Sequence, residues 1–417
     1  MASGWRTALE PLAITQFRRV FLSNFAFFMA MGGQGLVRPW LALQLTDAEI
    51  ALGVVSASFA VPMLVLAPFG GVLADRIERR SLILFSQSAA ILTECTVLAL
   101  LVADRLEFWH LVVSAGLMGS TFPLSMPARQ AIVVNIVGKQ RLGGAVALNM
   151  TGTNVTRVVG PALAGFLIPM ITVEGAFLFN MILYGLAVLA MLSVDRVPAS
   201  ADSRVASIGS NLLEGFRYVR TNRLVLILLV YGLVPMFLAM PFQALLPVFA
   251  EKVWQVGPQG LGVLSGSAGI GAVVGSIYVA GRSPDRGRIR AMMISAVVFG
   301  GLLTAFAMSP WFLLAVGLIF SANIAVSVFG TLNNTAIQLV IPDHVRGRIS
   351  SFLMMSFSLP LLGALPVSAA AQVFGAPLAV GVSSVLAVLA ALVFYVASRD
   401  LRELDHHVRR AMDQHSS

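Results

Sequence analysis

Three charged residues stand inside long apolar runs of this chain: Arg38, Glu94 and Arg157. A charge at the centre of a bilayer costs from roughly 3 to more than 10 kcal/mol, depending on the measure, so each must face protein or an aqueous cavity and is a functional candidate by default. Counting inward from Asp47, Arg38 lies about 9 residues, or ~13 Å, deep; from Asp104, Glu94 lies about 10 residues, or ~15 Å, deep. The two depths nearly match, and Arg157 falls close to mid-membrane. The simplest chemistry is an ion pair, Glu94–Arg157 or Glu94–Arg38, that a proton or a cargo molecule can open. A guanidinium neighbour favours the carboxylate and burial favours the neutral acid, so opening and closing such a pair would exchange a proton. The competing reading is a permanent structural pair that fastens the first half of the chain. Two buried arginines against one glutamate leave a net positive charge, which leans toward anionic or zwitterionic cargo.

A second concentration of charge is the turn Gly70-Gly71-Val72-Leu73-Ala74-Asp75-Arg76-Ile77-Glu78-Arg79-Arg80. Arg79 and Arg80 suit a topology signal, but packing does not call for Asp75, and something must hold its carboxylate. A third feature is Gly160-Pro161-Ala162-Leu163-Ala164-Gly165, where small residues and a proline suggest a bent helix packed closely on a partner.

The elements that position these residues follow from composition. Of 417 residues, 58% are hydrophobic and 11% charged, with mean hydropathy +0.87, values outside the range of soluble domains. About twelve apolar runs, near 20–45, 51–73, 81–103, 108–130, 143–168, 174–194, 224–249, 260–281, 291–309, 311–335, 349–373 and 377–397, are long enough to cross a ~30 Å hydrocarbon core as helices. The formal charge of +9 would suggest nucleic acid in a soluble chain, but here topology absorbs it. With the N-terminus inside, 24 of the 28 Lys and Arg fall in tails and cytoplasmic loops and only Arg105 and Lys252 fall outside. That asymmetry obeys the positive-inside rule and places both termini in the cytoplasm. The first run is too long for a signal-peptide core and is expected to stay.

The chain also repeats. Asp285, in Gly281-Arg282-Ser283-Pro284-Asp285-Arg286-Gly287-Arg288, follows the eighth run as Asp75 follows the second, and Ala131-Ile132 through Arg141 recurs loosely as Ala336-Ile337 through Arg346. Offsets near half the chain length argue for two duplicated six-helix halves, the architecture of an alternating-access transporter. The domains expected are 1–194, a cytoplasmic linker at 195–223 ending in an amphipathic helix, 224–398, and a tail at 399–417. Prolines at 235, 241 and 247 should kink the seventh span repeatedly.

Gly71 to Arg80 resembles the loop 2–3 signature of the major facilitator superfamily, and Gly160-Pro161 through Gly165 looks like its fifth-helix antiporter motif, common among exporters. Glu78, where most of that superfamily has glycine, together with Pro127-Ala128-Arg129-Gln130-Ala131, Pro342-Asp343 and Arg346-Gly347-Arg348, is similar to the bacterial branch containing macrolide exporters and the enterobactin exporter. The resemblance implies an all-α membrane protein of twelve transmembrane helices in two pseudo-symmetric bundles. It also implies a latch made of Gly71, Asp75, Arg76, Arg79 and Arg80. Its partners would be Arg129 and the start of the eleventh helix near Arg348, where exposed backbone N–H groups favour a carboxylate. Cargo contacts, by resemblance, belong to spans 1, 4, 7 and 10 and neighbouring positions: Gln34, Met118, Ser120, Asn154, Met236, Met240, Gln243, Asn323 and Ser327. A wall rich in Met and Phe with few polar anchors suits amphiphilic, loosely specified cargo.

The expectation is therefore a monomeric, multi-pass transporter of the bacterial inner membrane that exports amphiphilic drug-like compounds or siderophores, with the proton as coupling ion. A lipid flippase of the same fold and a non-transporting, receptor-like sensor are the alternatives. An enzyme is not expected, because the chain has no H-E-x-x-H pair, intramembrane Asp dyad, G-x-S-x-G elbow or Walker loop. Cofactors and metal are not expected either: Cys95 is the lone cysteine, His344, His406, His407 and His415 fall in cytoplasmic segments, and His110 sits at the outer edge.

Overall fold

The computed structural model describes residues 10–196, 216–280, 287–341, 355 and 358–404, with the side chains of Val72, Asp75, Lys139, Arg399 and Asp400 outside that description. The described residues are nearly all helical and contain no strand. This follows from the bilayer: backbone N–H and C=O groups that cannot reach water must be paired within their own segment, which a helix does and an open sheet does not.

Among the described residues, ten helices are long and apolar enough to cross a membrane, and a shorter apolar helix joins them. They are numbered α1 (Thr15–Thr46), α2 (Glu49–Arg76), α3 (Arg79–Val102) and α4 (Phe108–Gly138). A single 53-residue run, Gln140–Leu192, follows. It is broken by non-helical dihedrals at Ile171 and Thr172 into α5 (140–170) and α6 (173–192). Then come α7 (Arg223–Val253), α8 (Gly257–Ala280), α9 (Arg288–Ala307), α10 (Phe312–Val340), α11 (Leu359–Phe374) and α12 (Ala376–Ala397).

Two local outcomes differ from the sequence expectation. The connection expected between α4 and α5 is helical throughout except at Gly138, whose φ of 68° lies in the left-handed region that a residue without Cβ enters at little cost. Helix α7 is interrupted once, by a turn at 239–241 that contains Pro241, and ends in a π turn, Phe249–Val253, just after Pro247. Pro235 is carried inside the helix. The segment from 216 to 221 is helical, with Val219 buried and Phe216 exposed; residues 197–215 of the expected linker lie outside the described residues.

The chain packs as two compact units, Met1–Asp47 with Ser58–Val205 and Val256–Gly266, and Ala48–Ala57 with Ala206–Gln255 and Ser267–Ser417. They are not the two linear halves, and glycines account for the difference. In the first unit, the start of α8 lies against α5, where a Cβ on Gly165 would come 2.5 Å from Gly262 Cα. In the second unit, the start of α2 lies against α11, where a Cβ on Gly53 would come 2.7 Å from Leu365 Cα.

Within each unit the same helix pairs approach through glycine. A Cβ on Gly160 of α5 would meet Met29 O of α1 at 2.8 Å and Gly32 Cα at 3.1 Å. In the second unit, Gly363 of α11 meets Phe237 O of α7 and would press on Pro241 at 2.9 Å. Likewise Gly70 of α2 abuts Pro123 O of α4, and Gly271 and Gly275 of α8 abut Phe320 O and Ile324 O of α10. Helices in lipid have no hydrophobic drive to associate, so backbone-to-backbone contact at small residues supplies the packing energy. The pairing 1·5 with 2·4 is repeated as 7·11 with 8·10, which is what a duplicated six-helix unit requires.

The Gly160–Gly165 segment serves this packing directly: the helix passes through Pro161 without a non-helical residue. Substituting Gly160 with Leu forces α1 and α5 apart and is expected to destabilise the protein by about 1–3 kcal/mol. Gly35→Ala, at a position with no atom within 4 Å of an added Cβ, is expected to leave stability unchanged. Thermal unfolding of the two purified variants in the same detergent checks the contrast.

Candidate functional site

In the first unit, α1 presents two polar groups one turn apart, Gln34 and Arg38, to a wall made by α3 and α6. Arg38 Nη2 donates to Glu94 Oε1 of α3 at 3.0 Å, with the two side chains 6% and 0% exposed. Of the two pairings open from sequence, the structure forms this one. One turn earlier on α1, Tyr184 of α6, wholly buried, donates its hydroxyl to Gln34 Oε1 at 3.0 Å. One turn earlier on α6, Asn180 enters the space beside Gly33, where a Cβ would come 2.6 Å from Asn180 Oδ1. Gly33 is thus the residue that lets α6 bring Asn180 and Tyr184 against the polar face of α1. Four atoms of this cluster, Glu94 Oε2, Arg38 Nε, Gln34 Nε2 and Asn180 Nδ2, are buried with no hydrogen-bond partner among the described residues.

A second polar cluster lies about 15 Å along α1, ten residues earlier. Arg129 of α4, 3% exposed, donates through Nη1 to Asn24 Oδ1 at 2.7 Å, and Asn24 Nδ2 reaches Asn149 Oδ1 of α5 at 3.5 Å. The guanidinium carbon of Arg129 sits 4.0 Å from the centroid of Phe27 and 5.7 Å from that of Phe28. A buried cation is thereby held by an amide oxygen and two ring faces, an arrangement worth ~2 kcal/mol when desolvated. Beside it, Gln87 of α3 donates to Ser23 Oγ, which donates to Ala187 O of α6, both at 2.8 Å. Phe27 links the two clusters, since its ring is T-shaped against Tyr184 at 5.5 Å.

The remaining candidates divide by exposure. Arg157 and Asn154 of α5 are exposed, and no carboxylate among the described residues pairs with Arg157; the Glu94–Arg157 pairing is not formed. Met118 is 2% exposed and belongs to the core cluster of Phe27 and Tyr184, so it packs where a cavity wall was expected. Its neighbour Ser120 is half-buried and donates to Gly116 O. Met236 and Met240 are half-buried and Gln243 is exposed. Asn323, buried, donates to Ile319 O, and Ser327 donates to Ala272 O at 2.7 Å, so these two bind α10 to itself and to α8. Gly71, Arg76 and Arg80 lie at the α2–α3 turn, with Arg80 donating to Leu192 O at 2.8 Å, and Arg79 is buried beside them. The side chain of Asp75 and all of Arg348 lie outside the described residues. Glu78 accepts from Ser81 Oγ at 2.6 Å.

The profile of the transmembrane secretion effector family matches residues 6–416. The chain belongs to that family, a branch of the major facilitator superfamily, and is a transporter. The staphyloferrin A transporter of Staphylococcus aureus is 25% identical over 393 residues, which cover 92% of this chain and 96% of its own. The enterobactin exporter EntS of Shigella boydii is 28% identical over 354 residues, 80% of each chain. Among solved structures, the nucleoside transporter NupG superposes with a TM-score of 0.71 at 13% identity, covering 91% of this chain and 98% of NupG. A bacterial homologue of the lysosomal transporter Spinster superposes at 0.72 and 14% identity, covering 93% and 97%. These two likenesses concern the fold.

Sequence reasoning found Arg38, Glu94 and Arg129 in this transporter but not Tyr184, Asn180, Asn24 or Gln87. A signal was available: Asn180 and Tyr184 are four residues apart in an otherwise apolar run, as are the larger polar groups of α1 at Gln34 and Arg38.

Removing one partner of a buried ion pair strands the other charge, whereas replacing both with apolar residues restores a packed interior. Arg38→Met alone is expected to destabilise the protein by about 3–5 kcal/mol. Arg38→Met with Glu94→Met should recover most of that loss. Denaturation of the purified variants in detergent measures the difference, and equal losses in the single and double variants would refute the pair as the stabilising contact.

Proposed function

We propose that this transporter is a proton-coupled exporter of siderophore-class, amphiphilic anions, working as a monomer by alternating access in a bacterial inner membrane with both termini in the cytoplasm. The observation that carries the coupling is the Arg38–Glu94 pair: it is the ion pair among the described residues with both side chains buried inside spans. Glu94 also keeps one buried oxygen, Oε2, with no partner there. A proton added at that oxygen neutralises the carboxylate and weakens its hold on Arg38; its departure restores the pair. The relatives named as transporting staphyloferrin A and exporting enterobactin support the cargo class.

Arg157 supports the anionic preference. An exposed arginine deep in a span must face an aqueous cavity, because the lipid alternative is costly. No carboxylate among the described residues neutralises it, so an anionic group of the cargo is its natural counter-charge. The half-buried Met236 and Met240 supply a deformable apolar surface for the remainder of such a molecule.

In proteoliposomes with an imposed pH gradient, Glu94→Gln is expected to bind a siderophore normally but to lose at least 90% of gradient-driven accumulation. In the same assay Arg157→Gln should raise the apparent KM for an anionic siderophore about 10-fold, the effect of ~1.4 kcal/mol of lost attraction. Unchanged uphill transport by Glu94→Gln sinks the coupling assignment.

The latch reading is retained as part of the proposal for Asp75 and Arg129, which belong to the same unit. Gly70 and Pro123 abut, Asp75 and Arg129 follow them by five and six residues, and Arg129 Nε and Nη2 have no hydrogen-bond partner among the described residues. The resemblance to the superfamily pairs this guanidinium with the carboxylate of Asp75, and the latch is proposed on that ground. Asp75→Asn is expected to reduce transport at least 5-fold while expression and membrane insertion stay at wild-type levels, as read by flux per quantity of purified, reconstituted protein.

A further inference from the structure

The second unit carries a groove of about 1140 Å³ bounded by α8, α9 and α10. Its chemistry is uneven along its length. At one end stand Arg290 and the N-terminus of α9 with Arg288; toward the other the lining is Ile294, Val298 and Leu302 of α9 facing Ser321 and Ile324 of α10. The groove opens sideways, because Tyr278, Ile294 and Val298 on its walls are 51%, 48% and 42% exposed. In a multi-pass protein, exposed apolar walls of this kind face acyl chains.

Three of the hydroxyl groups lining the groove have their protons engaged and do not offer them to an anion. Ser276 donates to Ala272 O at 2.9 Å, Ser321 to Gly317 O at 2.9 Å and Thr335 to Thr331 O at 2.8 Å, each within its own helix. The cationic side chains of the lining, Arg288 and Arg290, stand together at the arginine end. Arg290 is exposed there, and no carboxylate among the described residues pairs with it.

Length separates the possible occupants. From Arg290 to Leu302 the groove follows twelve residues of α9, or ~18 Å, close to the ~15 Å depth of one hydrocarbon leaflet. A free anion would use the arginine end and leave the apolar length unexplained. A lipid tail without a charged head would leave the arginines unexplained. We propose that this groove binds one anionic phospholipid, with its phosphodiester against Arg290 and the α9 N-terminus and its acyl chains along the Ile294–Leu302 face. Guanidinium groups match phosphate oxygens in bidentate geometry, and basic pockets between spans are recognised sites for anionic headgroups.

A smaller groove in the first unit makes a useful contrast. It is about 510 Å³, lined by Leu22, Leu186 and Leu189, with Arg19 at its end. That arginine is already bound to Ser193 O, so the smaller groove lacks the unoccupied cation of the larger one.

The test uses the full chain purified in detergent and native mass spectrometry with equimolar phosphatidylglycerol and phosphatidylcholine of matched acyl chains. Wild-type protein is expected to retain phosphatidylglycerol at least 5-fold over phosphatidylcholine. Arg290→Gln should lower that ratio about 5-fold, which corresponds to the ~1 kcal/mol of one basic residue near an anionic headgroup. Ser321→Trp, which fills the apolar length and changes no charge, should lower retention of both lipids. Val298→Trp, at an exposed wall position, repeats this arm if Ser321→Trp does not fold. Glycerol phosphate in millimolar excess should not displace the lipid. An unchanged ratio in Arg290→Gln, unchanged retention in the tryptophan variant, or full displacement by glycerol phosphate each overturns the proposal, the last by identifying a site for soluble anions. Displacement of phosphatidylglycerol by a siderophore would overturn it in favour of a cargo entrance.

Discussion

The Arg38–Glu94 pair is the contact on which the first unit most depends, because it is the place where a wrong helix register costs most. A rotation of α1 by one residue, about 100°, would carry Arg38 away from α3 and leave Glu94 charged, buried and alone. The apolar contacts around it exert no comparable control, since an aliphatic side chain in a membrane trades protein for lipid at little cost. The pair therefore sets the rotation of α1 against α3, and Gln34, four residues away, is turned to meet Tyr184 as a consequence. Once α1 is set, Gly32 and Gly33 lie where α5 and α6 come closest, and Ser23 and Asn24 lie where Gln87 and Arg129 can reach them.

Close approach without side chains is the second constraint, and it explains why the packing of one unit recurs in the other. The glycine crossings 1·5 and 7·11 have no sequence identity to hold them in common, since Met29 and Gly32 stand in one and Phe237 and Pro241 in the other. What is common is the absence of a Cβ on one helix at the height where the other exposes a carbonyl. The two units differ in charge. Among the described residues, the first unit carries buried charge deep in its spans at Arg38 and Glu94, whereas in the second the buried cation Arg288 stands at a helix end and the polar groups within spans, such as Asn323 and Asn333, are neutral. Among the described residues both copies keep the packing, while the ion pair with both side chains buried belongs to the first.

Much of this was legible in the chain. Hydropathy and length identify the spans, because a helix crossing a bilayer needs about 20 apolar residues whatever its neighbours are. Arg38, Glu94 and Arg157 stand out for the same reason: their cost is set by the bilayer and does not depend on tertiary detail, whereas Arg129 came from the resemblance. Tyr184 and Asn180 did not stand out, since a neutral polar group in a span is inexpensive and becomes informative only when its partner is known. Met118 was assigned to a cavity by the position of its span, and only the packing of Phe27 and Tyr184 around it shows otherwise. The choice between Arg38 and Arg157 as the partner of Glu94 also depended on helix rotation, which apolar composition does not encode. The exchange of residues 48–57 and 256–266 between units rests on Gly53 and Gly262 finding particular backbones, and no periodicity announces that.

Three arginines of the first unit, Arg38, Arg129 and Arg157, can be ranked by how freely each can change partner. Arg38 is tied to a carboxylate, and releasing it without compensation would expose two charges to a low dielectric. Arg129 is held by Asn24 and by the faces of Phe27 and Phe28, neutral partners that leave its positive charge in place but make the site tolerant of an added anion. Arg157 is exposed and meets no carboxylate among the described residues. A molecule carrying a negative charge therefore meets the least resistance at Arg157, more at Arg129, and at Arg38 it must first displace Glu94. That displacement becomes easy when Glu94 is protonated, because the ion pair has then already been dissolved. On the function proposed above, cargo at Arg157 and a proton at Glu94 would not compete for one residue, and their exchange would act through α1, which touches α5 at Gly32 and α3 at Arg38. The stretch of α1 between those two contacts, which contains Gly33 and Gly35, is where a change at one would have to be felt at the other, since six residues of helix rise by ~9 Å.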